Sequence, residues 1–191
     1  MSSPSAATPA LRIRPATPAD LPAIAAIYGD AVLGGCASFE LVPPGEAEMA
    51  ARLAKIVDAG FPWLVAEADG AVLGYAYAGP YRTRPAYADT LENSIYVAPD
   101  AKGRGVGRAL LAELIAVTTA GGWRQMIAVI GDSANTASIG LHAALGFTHA
   151  GVLRAVGWKH GRWLDSVLMQ RPLGPGDERP PSRTTSGGPA A

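Results

Sequence analysis

The stretch Lys102-Gly103-Arg104-Gly105-Val106-Gly107-Arg108 places three glycines and three cations within seven residues. Glycine lets a backbone turn and approach a ligand without a Cβ penalty. Where a helix follows, its first N–H groups lack internal partners and attract an anion. The chemistry implied is a phosphate cradle. Two common phosphate loops do not fit the letters. A P-loop ends in Gly-Lys-Ser/Thr, which is absent. The dinucleotide fingerprint needs glycine at its first, third and sixth positions, but Arg108 stands sixth from Gly103 and Leu110 sixth from Gly105. On these residues alone, a basic turn that only caps a helix remains open. Metal chemistry has little support: Cys36 is the single cysteine, and His142, His149 and His160 show no close ligand spacing.

The elements that would position this stretch can be read from periodicity. Leu11 to Arg14 alternates like a strand, and Thr17-Pro18-Ala19-Asp20 signals the start of an Ala/Ile-rich helix ending at Ile27-Tyr28-Gly29-Asp30. A second helix is expected over Glu46 to Ala59, stopped by Gly60. Strands over Trp63 to Ala66 and Val72 to Tyr77 flank Asp69-Gly70, a hairpin signal. Leu91 to Val97, the glycine turn, a helix over Ala109 to Thr119 and the β-branched run Gln125 to Ile130 form a βαβ unit. A helix over Asn135 to Leu145, closed by Gly146, precedes strands over Phe147 to Leu153 and Trp163 to Gln170. The order is βααβββαβαββ, a mixed α/β fold.

Length and charge bound the function. With 191 residues, 49% of them hydrophobic, the chain suits one domain with a sizeable core. Sixteen cations balance sixteen anions, which argues against a nucleic-acid module and for small-molecule partners. Residues 1–10 and 174–191 are rich in Pro, Ser, Gly and Thr and are expected to be disordered tails around a folded unit at 11–173. No export signal or membrane span is recognisable, and with a lone cysteine the expected setting is the cytoplasm.

At this point the sequence resembles the GNAT superfamily of acyl-coenzyme A N-acyltransferases, whose signature Arg/Gln-x-x-Gly-x-Gly/Ala lies between the fourth strand and third helix. Here Lys102 takes the first position, keeping a cation but losing the planar bidentate geometry. The resemblance covers nearly all of residues 11–172. It narrows to the phosphinothricin and methionine sulfoximine N-acetyltransferases on Trp63-Leu64-Val65-Ala66-Glu67, Tyr75-Ala76-Tyr77-Ala78-Gly79-Pro80, Glu92-Asn93-Ser94-Ile95-Tyr96-Val97 and Leu141-His142-Ala143-Ala144-Leu145-Gly146-Phe147. Ser38-Phe39-Glu40, Ala128-Val129-Ile130-Gly131-Asp132 and Trp158 to Asp165 add to it.

The resemblance implies acetyl-CoA as co-substrate, no metal, and transfer to the amine of a small amino acid such as phosphinothricin, methionine sulfoximine or methionine sulfone. Another amine (a polyamine, an antibiotic, a protein N-terminus) and a non-catalytic acyl-CoA binding module are the alternatives. Lys102, Gly103, Arg104, Gly105, Val106, Gly107 and Arg108 would hold the pyrophosphate. The backbone of Tyr96 and Val97 would pair with the pantetheine arm, and Asn135 would contact it unless it is a plain N-cap. Glu92 occupies the family's general-base position and shares a strand face with Ser94 and Tyr96; a structural salt bridge is its other reading. His142 stands where many relatives carry a tyrosine near the coenzyme sulfur. It would protonate the departing thiolate, bond the thioester region, or only fill the helix–sheet seam. Arg82 and Arg84 are candidates for the acceptor's anionic groups, with Phe39 and Tyr87 as walls. Lys159, His160 and Trp163 would close the pocket or lie at the contact of a homodimer. The Ile27 to Asp30 segment departs from many relatives, which bears on acceptor scope.

Overall fold

The computed structural model describes residues 11–181. The seven strands among these residues are β1 (Arg12–Pro15), β2 (Trp63–Ala68), β3 (Ala71–Pro80), β4 (Thr90–Val97), β5 (Gln125–Gly131), β6 (Thr148–Lys159) and β7 (Arg162–Pro172). The helices are α1 (Leu21–Gly34), α2 (Glu46–Asp58), α3 (Val106–Ala120) and α4 (Thr136–Ala144). This is the order expected from the sequence. All strands join one sheet in the order β1-β2-β3-β4-β5-β7-β6, antiparallel throughout except for the β4–β5 pair, which α3 connects as a parallel crossover.

Alternation along β2 shows how the sheet is covered on both faces. Trp63 and Val65 pack with Ile24, Val32, Met49, Leu53 and Tyr75 against α1 and α2. Leu64 and Ala66 point the other way, into a core with Leu110, Leu111 and Leu114 of α3 and with Leu91, Met126, Ile130 and Val167. The three α3 leucines are fully buried, and each such side chain is worth about 1.5–3 kcal/mol in transfer free energy. Close helix–sheet approach requires Gly74 on β3, where a Cβ would lie 2.8 Å from the Tyr96 carbonyl oxygen and 3.2 Å from Val106 Cγ1.

Several boundaries differ from the sequence reading. α1 continues beyond Asp30 to Gly34, so Ile27 to Asp30 is its interior. α3 starts at Val106, three residues early, because Gly105 at φ 82° supplies the left-handed turn into it. β6 runs past Leu153 to Lys159, since its irregularity between Leu153 and Gly157 interrupts the register with β7 without ending the pairing. Beyond Leu173 the chain makes turns through residue 178, and Arg124 Nη2 bonds the carbonyl oxygens of Arg179 and Pro180. These contacts fall in the first part of the segment expected to be a tail; residues 182–191, and residues 1–10, lie outside the described residues.

A polar clamp joins the first strand to the first helix. The buried Asp20 carboxylate accepts from Arg14 Nη1 and Nη2 at 2.8 and 2.7 Å, and from the Thr17 N–H and hydroxyl at 2.7 and 2.9 Å. Arg14 Nε reaches Glu67 on β2 at 2.6 Å. The Arg14 bonds hold the Asp20 carboxyl at about 2, below its ordinary value of 3.8. A depressed carboxyl stabilises the fold above the unfolded pKa and loses that contribution as pH falls through the folded one. Asp20→Asn should therefore lower stability at neutral pH by on the order of 1–2 kcal/mol and flatten its fall between about pH 4 and pH 2, measured by urea unfolding across that range.

Candidate active site

β4 and β5 pair only over Thr90–Asn93 and Gln125–Ala128, while β4 remains paired with β3 as far as Val97. From Ser94 onward the two central strands diverge, and one edge of β4 faces an opening instead of a neighbour. A cavity of about 50 Å³ fills this wedge, lined by Asn93, Ser94, Ile95 and Tyr96, by Ala128 to Gly131, by Ala37, and by Asn135, Ser138 and His142. It adjoins a cleft of about 900 Å³ that shares Ala37, Ile95, Gly131, Asn135 and Ser138.

The glycine-rich stretch forms one wall of that cleft. Gly103 and Gly105 have φ of 74° and 82°, a region other residues avoid. The Ala109 N–H to Gly105 carbonyl bond starts the α3 ladder, leaving the N–H groups of Val106, Gly107 and Arg108 ahead of it. Gly107 lets the first turn approach α4, since a Cβ there would be 3.3 Å from Leu141 Cδ2. Lys102, Gly103, Gly105, Val106, Gly107 and Arg108 all line the cleft, with Val97 beside them; Arg104 does not. The opposite rim carries Asp30, Ala31, Gly34 to Ala37 and Arg162. The volume and the run of helix-start amides at one end suit a long ligand with a pyrophosphate.

Asn135 caps α4. Its Oδ1 accepts from the Ser138 N–H at 3.2 Å and its Nδ2 donates to the Gly131 carbonyl at 3.0 Å, with the residue lining both cavities. The cap reading is thus satisfied by geometry, and contact with a ligand remains open to the same side chain.

Glu92 and His142, the two residues singled out for proton transfer, lie on opposite faces of β4. His142 belongs to the α3–α4 side, where its Nδ1 is 2.8 Å from the Ser138 carbonyl oxygen and its Nε2 is 3.0 Å from Asn93 Oδ1. Burial lowers its pKa against the opposing effect of the Ser138 carbonyl. A neutral imidazole carries one N–H, so it satisfies only one of these two oxygens at a time. Asn93 completes its own bonding by donating to the Ile127 carbonyl at 3.0 Å. The sequence reading missed Asn93, although an amide between Leu91 and Ile95 on a buried strand face requires polar partners.

Glu92 lies on the α1–α2 side with Ser94 and Tyr96. Burial raises its pKa, and the Arg82 charge pulls it back. Glu92 lines neither cavity, nor do Arg82, Arg84 and Tyr87. The last three occupy the β3–β4 link, where the Arg82 guanidinium stacks 4.6 Å over the Tyr81 ring and Tyr81 meets Tyr87 edge to face.

Phe39 sits in a slot between two backbones. A Cβ on Gly131 or on Gly157 would fall 2.5 Å from its ring, yet the residue is 38% exposed. Around it the β6–β7 tip is fastened to the loop after α1. Lys159 Nζ donates to the Ser38 carbonyl at 2.8 Å, and His160 Nε2 lies 3.2 Å from the Gly35 carbonyl. Arg162 pairs with Asp132 at 2.6 Å. Lys159 and His160 are thus engaged by their own chain, whereas Trp163 stands on the outer surface against Trp158. Arg162 had no signal in the sequence, because nothing local says which loop a hairpin tip reaches.

The fold and cleft define an acyl-CoA-dependent transferase, and the chain belongs to the GNAT acetyltransferase family: the Acetyltransferase (GNAT) domain matches residues 13–168. It is therefore an acetyl-CoA-dependent N-acetyltransferase. Within the family it is 65% identical over 158 residues to a phosphinothricin N-acetyltransferase of Alcaligenes faecalis, covering 83% of this chain and 80% of that protein. An L-methionine sulfoximine/L-methionine sulfone acetyltransferase of Pseudomonas paraeruginosa is 45% identical, with 85% and 95% covered. The crystal structure of a phosphinothricin acetyltransferase from Sinorhizobium meliloti in complex with AcCoA superposes with a TM-score of 0.88 at 51% identity, covering 91% of this chain and 94% of that one. Among the described residues no group of three or more metal-ligating side chains occurs, and no helix is long and apolar enough to cross a membrane.

Gly105→Ala places a Cβ in a left-handed conformation at a penalty of about 1 kcal/mol and tilts the first turn of α3. The expected outcome in titration calorimetry is acetyl-CoA affinity weakened about tenfold, with a melting temperature lowered by a few degrees.

Proposed function

We propose that this enzyme transfers the acetyl group of acetyl-CoA to the amino group of a small amino acid of the phosphinothricin and methionine sulfoximine class. The observation that carries the reading is the wedge. It adjoins the cleft, is lined by β4 residues of both alternations, and begins one residue after Glu92, which shares a face with Ser94 and Tyr96. The named activities of the Alcaligenes and Pseudomonas relatives support the acceptor class.

In this reading the α3 amides, Lys102 and Arg108 hold the pyrophosphate, with Arg104 contributing charge from outside the lining. The edge of β4 at Tyr96 and Val97, which has no strand beside it, pairs with the amides of the pantetheine arm. The thioester then lies in the wedge near Asn135. The acceptor arrives as an ammonium with a pKa near 10 and must lose a proton before attack. Glu92 takes that proton, its raised pKa bringing it nearer to neutral pH. The nitrogen lone pair attacks the carbonyl, the tetrahedral intermediate collapses, and the thiolate leaves. His142, bonded within the same wedge, protonates or hydrogen-bonds the thiolate. Arg82 and Arg84 attract the acceptor's anionic groups, and Phe39 and Tyr87 bound its side chain.

The reading extends to a homodimer. Trp158 and Trp163 pack edge to face as an exposed apolar pair on the β6–β7 ribbon, of a kind that a second copy covers. A cytoplasmic setting suits the use of acetyl-CoA and the lone cysteine.

Glu92→Gln should lower kcat by about 100-fold or more with little change in the acetyl-CoA KM, measured by following released coenzyme with a thiol-reactive dye. In the parent enzyme the active form has Glu92 deprotonated, so activity should fall as pH drops through its raised pKa, above the ordinary carboxylate range. Full turnover and an unchanged pH profile in the variant would remove Glu92 from the mechanism.

A further inference from the structure

Lys102, Arg108 and the starting amides of α3 line a cleft suited to an anion, yet Asp132 lines it too. The other acid on this lining among the described residues, Asp30, is exposed, so water and salt screen it. Asp132 is buried, and a buried carboxylate keeps its charge only where close partners answer it.

Its two oxygens are engaged separately. Oδ1 accepts from the Ala134 N–H at 2.7 Å, and Oδ2 meets Arg162 Nη1 at 2.6 Å. The first bond, together with the Asn135 N–H donating to the Asp132 carbonyl at 2.9 Å, folds the β5–α4 turn that presents Asn135 to both cavities. That bond needs an oxygen acceptor and no charge, so an asparagine would serve it as well. The second bond is the one that answers the charge. Arg162 comes from the start of β7, lines the same cleft, and gives its other terminal nitrogen, Nη2, to Cys36 Sγ at 3.4 Å. The turn has a further tie to β7 that does not involve Arg162. Ser133 Oγ donates to Asp165 Oδ2 at 2.5 Å, and Asp165 Oδ1 accepts from the Ala155 N–H of β6 at 3.0 Å. Removing Arg162 therefore strips the charge compensation while these bonds still hold the turn.

We propose that Arg162 is a positioning residue for acetyl-CoA that acts through Asp132: it cancels a buried negative charge on the cleft wall, so that the anionic coenzyme meets a neutral surface there. Without Arg162 the carboxylate, held away from water, repels the coenzyme's phosphates across a medium of low dielectric. The wall is neutral in the parent, negative without Arg162, positive when Asp132 loses its charge, and neutral again without both. This role rests on the large cleft being the coenzyme's and is independent of the acceptor and of Glu92.

Acetyl-CoA affinity, measured by titration calorimetry on the full-length chain, separates these four charge states. Arg162→Met should bind about tenfold more weakly, and Asp132→Asn at least as tightly as the parent. The double variant should return to within about twofold of the parent, a recovery that lost packing or a lost ligand contact cannot produce. Unchanged affinity in Arg162→Met overturns the role. A double variant as weak as Arg162→Met also overturns it and makes Arg162 a direct contact of the coenzyme. Weaker binding in Asp132→Asn overturns it in favour of the ion pair as a mechanical tether. Gly105→Ala in the same assay tells these failures from a failure of the cleft reading. If neither it nor Arg162→Met moves the affinity, the coenzyme binds elsewhere; if it weakens binding and Arg162→Met does not, only the role of Arg162 falls.

Discussion

The parting of β4 from β5 is the constraint on which the rest of the site depends. A buried strand edge without partners is unfavourable, because each unpaired N–H or carbonyl loses its hydration without a replacement bond. Here the edge from Ser94 to Val97 is exposed to a cleft, and the free energy of pairing it is left for a ligand. The sheet can sustain this because it is tied on both sides of the gap. β3 holds β4 along its whole length, β7 holds β5, and the α3 leucines bridge the two halves from below. Divergence in this setting is a rigid feature of the fold.

The same parting explains why the two faces of the sheet differ in chemistry. The α3–α4 face is largely apolar, with the His142–Asn93 pair, Asn135 and Ser138 as its polar groups at the cavity. The α1–α2 face carries Tyr28, Tyr75, Tyr77 and Tyr96, a layer of packed rings in which the Tyr28 hydroxyl bonds Ser38 Oγ at 2.9 Å. That layer combines ring packing with polar oxygens, unlike the aliphatic face opposite.

Much of the fold was legible in the sequence, for identifiable reasons. Asp69-Gly70, Gly146 and the β-branched run in β5 are local signals, and each marked a real turn, helix end or strand. The glycine loop was legible because φ values of 74° and 82° need glycine. What could not be read depends on contacts distant along the chain. The extent of β6 is decided by β7, and the role of Lys159 by a carbonyl 121 residues away. Nor could the letters tell that Glu92 and His142 face apart: alternation assigns each to a face of its own element but not the two elements to each other. Arg82, Arg84 and Tyr87 lie together in one link by chain proximity, which the sequence conveys, while their distance from the wedge is a matter of how that link folds.

The turns after β7 matter for handling the molecule. Arg124, just ahead of β5, grips residues 179 and 180, whereas the cleft lies beyond the far end of that strand at Gly131. Seven residues of strand separate the two by roughly 20 Å. A fusion partner joined directly after residue 180 would therefore leave from the pole of the sheet away from the cleft.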